Sequence, residues 1–230
     1  MATIDALIRQ LRDPDATDAE LRKGLKHRAG LVVAAAARNI AEHDRTGFEA
    51  QLMAAFDRLC TQASKRDPGC QGKTWVCKAL RRWPADEVLV KGARFVQLDP
   101  AWGPPEDVSA EMRCLCTLEL VGRGSPEAPG LLAERLAESH TVCQVSGARG
   151  VVAWNDPALG ALLRLRVLLY ANEDPELLSE CFEGLLVLDA AANRDFVERW
   201  LMDEGPRAEC ALLALAGTRQ GTMAAEAREL

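Results

Sequence analysis

Apolar residues recur at i, i+3, i+4 and i+7 along almost the whole chain, the spacing that lines one face of an α-helix. Ala6, Leu7 and Leu11 predict a first amphipathic helix that stops near Asp13-Pro14. Thr17 or Asp18 caps a second, running through Leu21 and Leu25. Gly30 marks a break, and LVVAAAA followed by Ile40 predicts a largely buried helix over 31–43. Phe48, Leu52, Phe56 and Leu59 form a stripe on the next, and the polar turn SKRDPG follows from Ser64. Residues 71–83 read as helical, with Trp75, Val76, Ala79, Leu80 and Trp83 on one side. Residues 87–98 also read as helical, with strand as the minority reading because Val and Phe are enriched there.

The segment DPAWGPPEDVS from Asp99 is a loop, holding three prolines and a glycine. Beyond it, helices are expected over 110–121, 131–138 and, more briefly, 147–154. From Asp156, Leu159, Leu162, Leu163, Val167 and Leu168 make one apolar face, and Asn172 ends that helix. Asp174-Pro175 starts the next, a further helix covers 196–202, and the last ends at Gly217 as a C-cap. No stretch alternates as a β-strand.

Five prolines follow an aspartate, at 13–14, 67–68, 99–100, 156–157 and 174–175. Asp is a good helix N-cap and Pro suits the first helical position, so each pair reads as a signal to restart a helix. Restarts at roughly helix-plus-turn spacing predict helices stacked through short turns.

The segments DPGCQGKTWVCKAL from Asp67, VSAEMRCLCTLELVG from Val108, DPELLSECFEGLLVL from Asp174 and EGPRAECALLALAGT from Glu204 share a turn, a charged residue, then a run of small residues and Leu. In this they resemble the HEAT-like repeat family, the repeats also found in phycobilin lyases, and bacterial proteins built from them. The resemblance covers most of residues 17–218 and is best from 67 on. It implies an all-α fold, a HEAT-like α-solenoid (α-α superhelix) of about ten to thirteen helices stacked as antiparallel pairs. It would form one array over 1–230, with a bend or sub-array boundary near 99–107. It also implies function through a concave surface: a non-enzymatic interaction module or scaffold binding another protein. The alternatives are a nucleic-acid-binding protein, as in HEAT-like DNA glycosylases, acting through the basic N-terminal third, and a lyase-like enzyme or accessory factor. The catalytic acidic and aromatic residues of the glycosylases do not map onto this chain.

Composition changes the picture in three ways. Only 5% of the residues are aromatic, so the core is built from Ala, Leu and Val, which suits close helix packing. The eight cysteines lie scattered without a C-x-x-C pair, and the N-terminal stretch lacks a basic segment followed by an apolar run. The expectation is reduced thiols in a cytoplasmic protein that does not enter a membrane. The formal net charge of −6 is unevenly spread: residues 1–83 carry 15 Lys and Arg against 10 Asp and Glu, and residues 84–230 carry 13 against 24. The basic excess supplies a candidate interaction patch of Arg22, Lys23, Lys26, Arg28, Lys73, Lys78, Arg81, Arg82 and Trp83. It would serve an acidic protein partner or, less readily, nucleic acid.

Specific chemistry is sparse. Gly72-Lys73-Thr74 matches the end of a phosphate-binding loop, but the first glycine of that motif falls on Asp67, and SKRD rather than a buried strand precedes it. Cys114 and Cys116 point about 200° apart on a helix, which separates them as ligands even with His140 and Cys143 downstream. His27, His43 and His140 are isolated. The sequence calls for no cofactor, no metal and no catalytic residue.

Overall fold

A computed structural model of the chain describes residues 3–169 and 174–229, with side chains as far as Gly217. The fold over these residues is all-α, apart from one hairpin with two residues in each strand. Packing divides the chain into two compact units, Met1–Ser125 and Pro126–Leu230. Among the described residues no helix is long and apolar enough to cross a membrane.

The first unit is built around one largely buried helix. Helix α1 (Ile4–Arg12) is capped by Thr3, and α2 (Asp18–Leu25) by Thr17, which exchanges hydrogen bonds with Glu20 in a capping box. Helix α3 (Gly30–Glu42) buries Val32 through Ala37 without interruption, so this stretch is apolar on every side and lies inside the unit. Helices α1, α2 and α6 (Gln71–Ala79) pack on it. Helix α4 (Glu49–Cys60) buries Leu52, Phe56 and Leu59, and Phe48 at its N-cap, the stripe expected from sequence. The polar turn at Ser64 contains a single helical turn, α5 (Ala63–Arg66), and a short 3₁₀ turn over Pro68–Cys70.

Helix α7 (Asp86–Arg94) packs on α8 (Ala110–Gly122). The expected helix over 87–98 stops four residues early, because Leu98–Asp99 (β1) pairs antiparallel with Glu106–Asp107 (β2). The hairpin lies within the first unit, and Trp102 in its loop is wholly exposed. Its base is tied down from both sides. Ser109 Oγ accepts from Gln97 N at 2.9 Å, and Arg113 donates to Asp107 Oδ2 at 2.7 Å.

The second unit holds α9 (Ala128–Leu136), α10 (Thr141–Trp154), α11 (Gly160–Leu168), α12 (Pro175–Glu198) and α13 (Pro206–Glu229). Helix α10 packs on α9 and α12, and α12 also takes α11 and α13. Four expectations are corrected. Helix α10 begins at Thr141, six residues before the expected start. Leu168 is exposed, so the buried side of α11 narrows to Leu163 and Val167. Gly217 does not end the last helix: its φ is not left-handed, its Cβ side is open, and α13 runs on to Glu229. The separate helix expected at 196–202 is the second half of α12, set off by a break at Asp189, followed by a 3₁₀ turn over Arg199–Met202. Asn172 lies outside the described residues.

The Asp-Pro pairs split by role. Asp156 and Asp174 are N-caps as expected, accepting from Ala158 N and Glu176 N. Asp67 caps α6 from further away, through Gly72 N and Lys73 N. Asp13 instead ends α1, and Asp99 sits in the hairpin and accepts from Gly69 N at 2.7 Å.

Candidate functional site

The junction at Asp67 follows directly from its local sequence. Gly69 and Cys70 both take left-handed φ values, which turns the chain so that the Asp67 carboxylate faces the start of α6. Its Oδ1 accepts from Gly72 N at 2.8 Å, and its Oδ2 from Lys73 N at 3.0 Å. These are the N–H groups that a phosphate-binding loop would offer its ligand, and here the chain's own carboxylate fills them. Lys73 completes the arrangement with Nζ 2.7 Å from Asp67 Oδ2, both side chains fully buried, and with Nζ 5.4 Å from the centre of the Phe95 ring. Lys73 is therefore removed from the expected surface patch: its charge is consumed internally.

The other expected patch residues separate into distinct environments. Lys78 pairs with Glu111 at 3.1 Å and lies 4.8 Å from the centre of the Trp75 ring. Arg81 pairs with Glu119, and Arg82 with Asp44. Trp83 is half-buried, its carbonyl accepting from Arg123. Arg22 donates to Gly47 O and lies over the Phe48 ring at 4.6 Å. Lys23 lines a small cavity of about 230 Å³ with Glu20 and His27.

Lys26 and Arg28 instead enter a cleft of about 590 Å³, where they are joined by Arg58, Lys65 and Arg66, with Ala29, Gly30, Leu31, Gln62 and Pro68. Five cations and no carboxylate line it. None of the five lies within ion-pair distance of an acidic group among the described residues, in contrast to Lys78, Arg81 and Arg82. Two of them are fixed by backbone acceptors. Arg58 donates to the Leu25 carbonyl at the end of α2, and Arg66 donates to the Arg58 carbonyl at 3.1 Å. Burial, reinforced by the nearby Arg66 charge, lowers the Arg58 guanidinium from its ordinary range. Both carbonyls lie in the last turn of their helix, where cations are favoured, which gives each arginine a local reason for its place.

Arg58, Lys65 and Arg66 were not singled out in the sequence. The available signal was the SKRD run, which reads as a polar turn until the chain returns it to the Lys26–Arg28 loop. Among the described residues no three His, Cys, Asp or Glu side chains are grouped to hold a metal ion. None of the eight cysteines, all within the described residues, forms a disulfide, and seven are buried. No protein-family model matches the chain, and no curated protein matches it significantly.

Proposed function

We propose that the chain is a non-enzymatic interaction module of HEAT-like helix pairs stacked as a solenoid, and that it binds an acidic partner protein. The observation that carries the reading is the cleft at Lys26, Arg28, Arg58, Lys65 and Arg66, five cations without an ion pair among the described residues. Like charges held together without counter-charges raise the local potential and favour an anionic partner's approach. Restart signals at Asp156 and Asp174, and the Ala-rich, largely buried helix α3, support the repeat architecture. A nucleic-acid surface fits less well. A duplex needs a track of phosphate contacts, and Lys78, Arg81 and Arg82 already carry acidic partners.

Affinity capture from native cell extract with the full chain, eluted by a salt gradient and read by mass spectrometry, tests this. The control is the Lys26→Glu/Lys65→Glu variant, whose changes fall on exposed side chains. The expected result is one acidic protein recovered in near-stoichiometric amount by the natural chain and lost with the variant. Equal recovery by both, or nucleic acid as the retained species, would overturn the reading.

A further inference from the structure

The composition of the cleft selects among anions. Donors of two kinds line it. The guanidiniums of Arg58 and Arg66 line it and are fixed by the Leu25 and Arg58 carbonyls. The ammonium groups of Lys26 and Lys65 stand at the exposed rim. Helix α3 begins beside the cleft, where Gly30 and Leu31 line it; its N-cap, Ala29, has no capping side chain and its first turn has no acidic residue. Among the described residues the amides of Gly30 and Leu31 have no hydrogen-bond acceptor. The other helix start at this junction, α6, is capped by Asp67, and the same carboxylate packs against buried Gly30 at the start of α3.

A single carboxylate offers two oxygens and one charge, too little to engage so many donors. A phosphoryl group on a side chain offers three oxygens and a charge of about −1.5 to −2 at neutral pH, and its geometry matches the guanidinium fork. Half-exposed Leu31 and exposed Pro68 add an apolar wall at the same cleft, which suits a peptide better than an isolated ion.

We propose that this cleft docks a phosphorylated segment of the partner protein, with the phosphoryl group held by the guanidiniums of Arg58 and Arg66, and with Lys26, Arg28 and Lys65 facing acidic residues that flank it. The inference rests on the reading of the chain as a binder of an acidic protein.

The test is fluorescence polarisation of the full chain with three labelled probes: a degenerate acidic peptide mixture carrying one fixed phosphoserine, the same mixture with serine, and a short DNA duplex. The phosphorylated mixture is expected to bind about tenfold or more tightly than its unphosphorylated twin. Lys26→Glu/Lys65→Glu should abolish that binding. Arg66→Lys, which keeps the charge and removes the fork, should weaken the phosphorylated mixture selectively, with thermal melting confirming that both variants remain folded. Equal affinity for the two peptide mixtures overturns the phosphoryl site and leaves the acidic-partner reading standing. Preference for the duplex, or no binding of either peptide mixture, overturns both. Displacement of the peptide by inorganic phosphate at the peptide's own concentration assigns the cleft to the free ion and overturns the peptide.

Discussion

Lys73 Nζ lies 2.7 Å from Asp67 Oδ2 with both side chains fully buried, and the same carboxylate holds the first N–H groups of α6. Removing one member of such a pair strands the other charge away from water. Lys73→Met is expected to destabilise the protein by about 3–5 kcal/mol. Asp67→Asn/Lys73→Met should lose less than the sum of the two single changes, with a coupling above about 1 kcal/mol. Urea denaturation of the four proteins in a double-mutant cycle measures it. Additive losses would mean that the pair contributes no joint stabilisation.

The same junction depends on two glycines meeting. A Cβ on Gly30 would lie 2.2 Å from Asp67 Oδ1, and one on Gly72 would lie 2.9 Å from the Gly30 carbonyl oxygen. Neither neighbour can move without breaking a buried hydrogen bond or shifting backbone. Gly30→Ala and Gly72→Ala should each cost about 1–3 kcal/mol, whereas Gly103→Ala, with open space around it, should leave the melting temperature unchanged. A neutral Gly30→Ala would contradict the packing described.

Acid should loosen the hairpin. Burial works against ionisation of Asp107, but hydrogen bonds from Arg113 and Ser109 outweigh it and hold the carboxyl at about 2. An aspartate in an unfolded chain titrates near about 4. A depressed folded-state value contributes stability that is complete above the unfolded value and is lost as pH falls from about 4 towards 2. Asp107→Asn should therefore be less stable than the natural chain at pH 6, with the gap narrowing at pH 2.5. Denaturation midpoints at the two pH values decide this, and a gap independent of pH would remove Asp107 as the titrating group.

Thiol chemistry should be slow in the folded protein. Burial raises Cys60 to about 11 and Cys70 to about 12, and a hydrogen bond with Cys116 together with burial holds Cys77 well above its ordinary value. Only the thiolate attacks an alkylating reagent. At pH 8, peptide mapping after iodoacetamide treatment should find these three sites unlabelled in the folded chain and labelled in urea. Rapid native labelling of Cys70 would place it at the surface.

How far the sequence reaches depends on whether a feature is local. The stripe at Phe48, Leu52, Phe56 and Leu59, the capping box of Thr17 and Glu20, and the N-caps at Asp156 and Asp174 depend on neighbours within about one helical turn to three turns. Periodicity and capping chemistry therefore fix them, and with them the all-α class. Asp13 and Asp99 carry the same Asp-Pro signal yet serve a helix end and a hairpin, because what each carboxylate accepts is decided by which backbone N–H the fold brings to it.

Charge is the least local property of all. Lys73 reads as a surface cation until Asp67 and Phe95 enclose it, and Lys78, Arg81 and Arg82 read as a patch until Glu111, Glu119 and Asp44 neutralise them. The cleft joins residues 26–31 to residues 58–68, which no helical period relates. The sequence by itself determined the helices and the excess of positive charge in the first third. Only the tertiary structure decided which of those charges remain unpaired, because pairing depends on distances of a few ångströms between segments far apart in the chain.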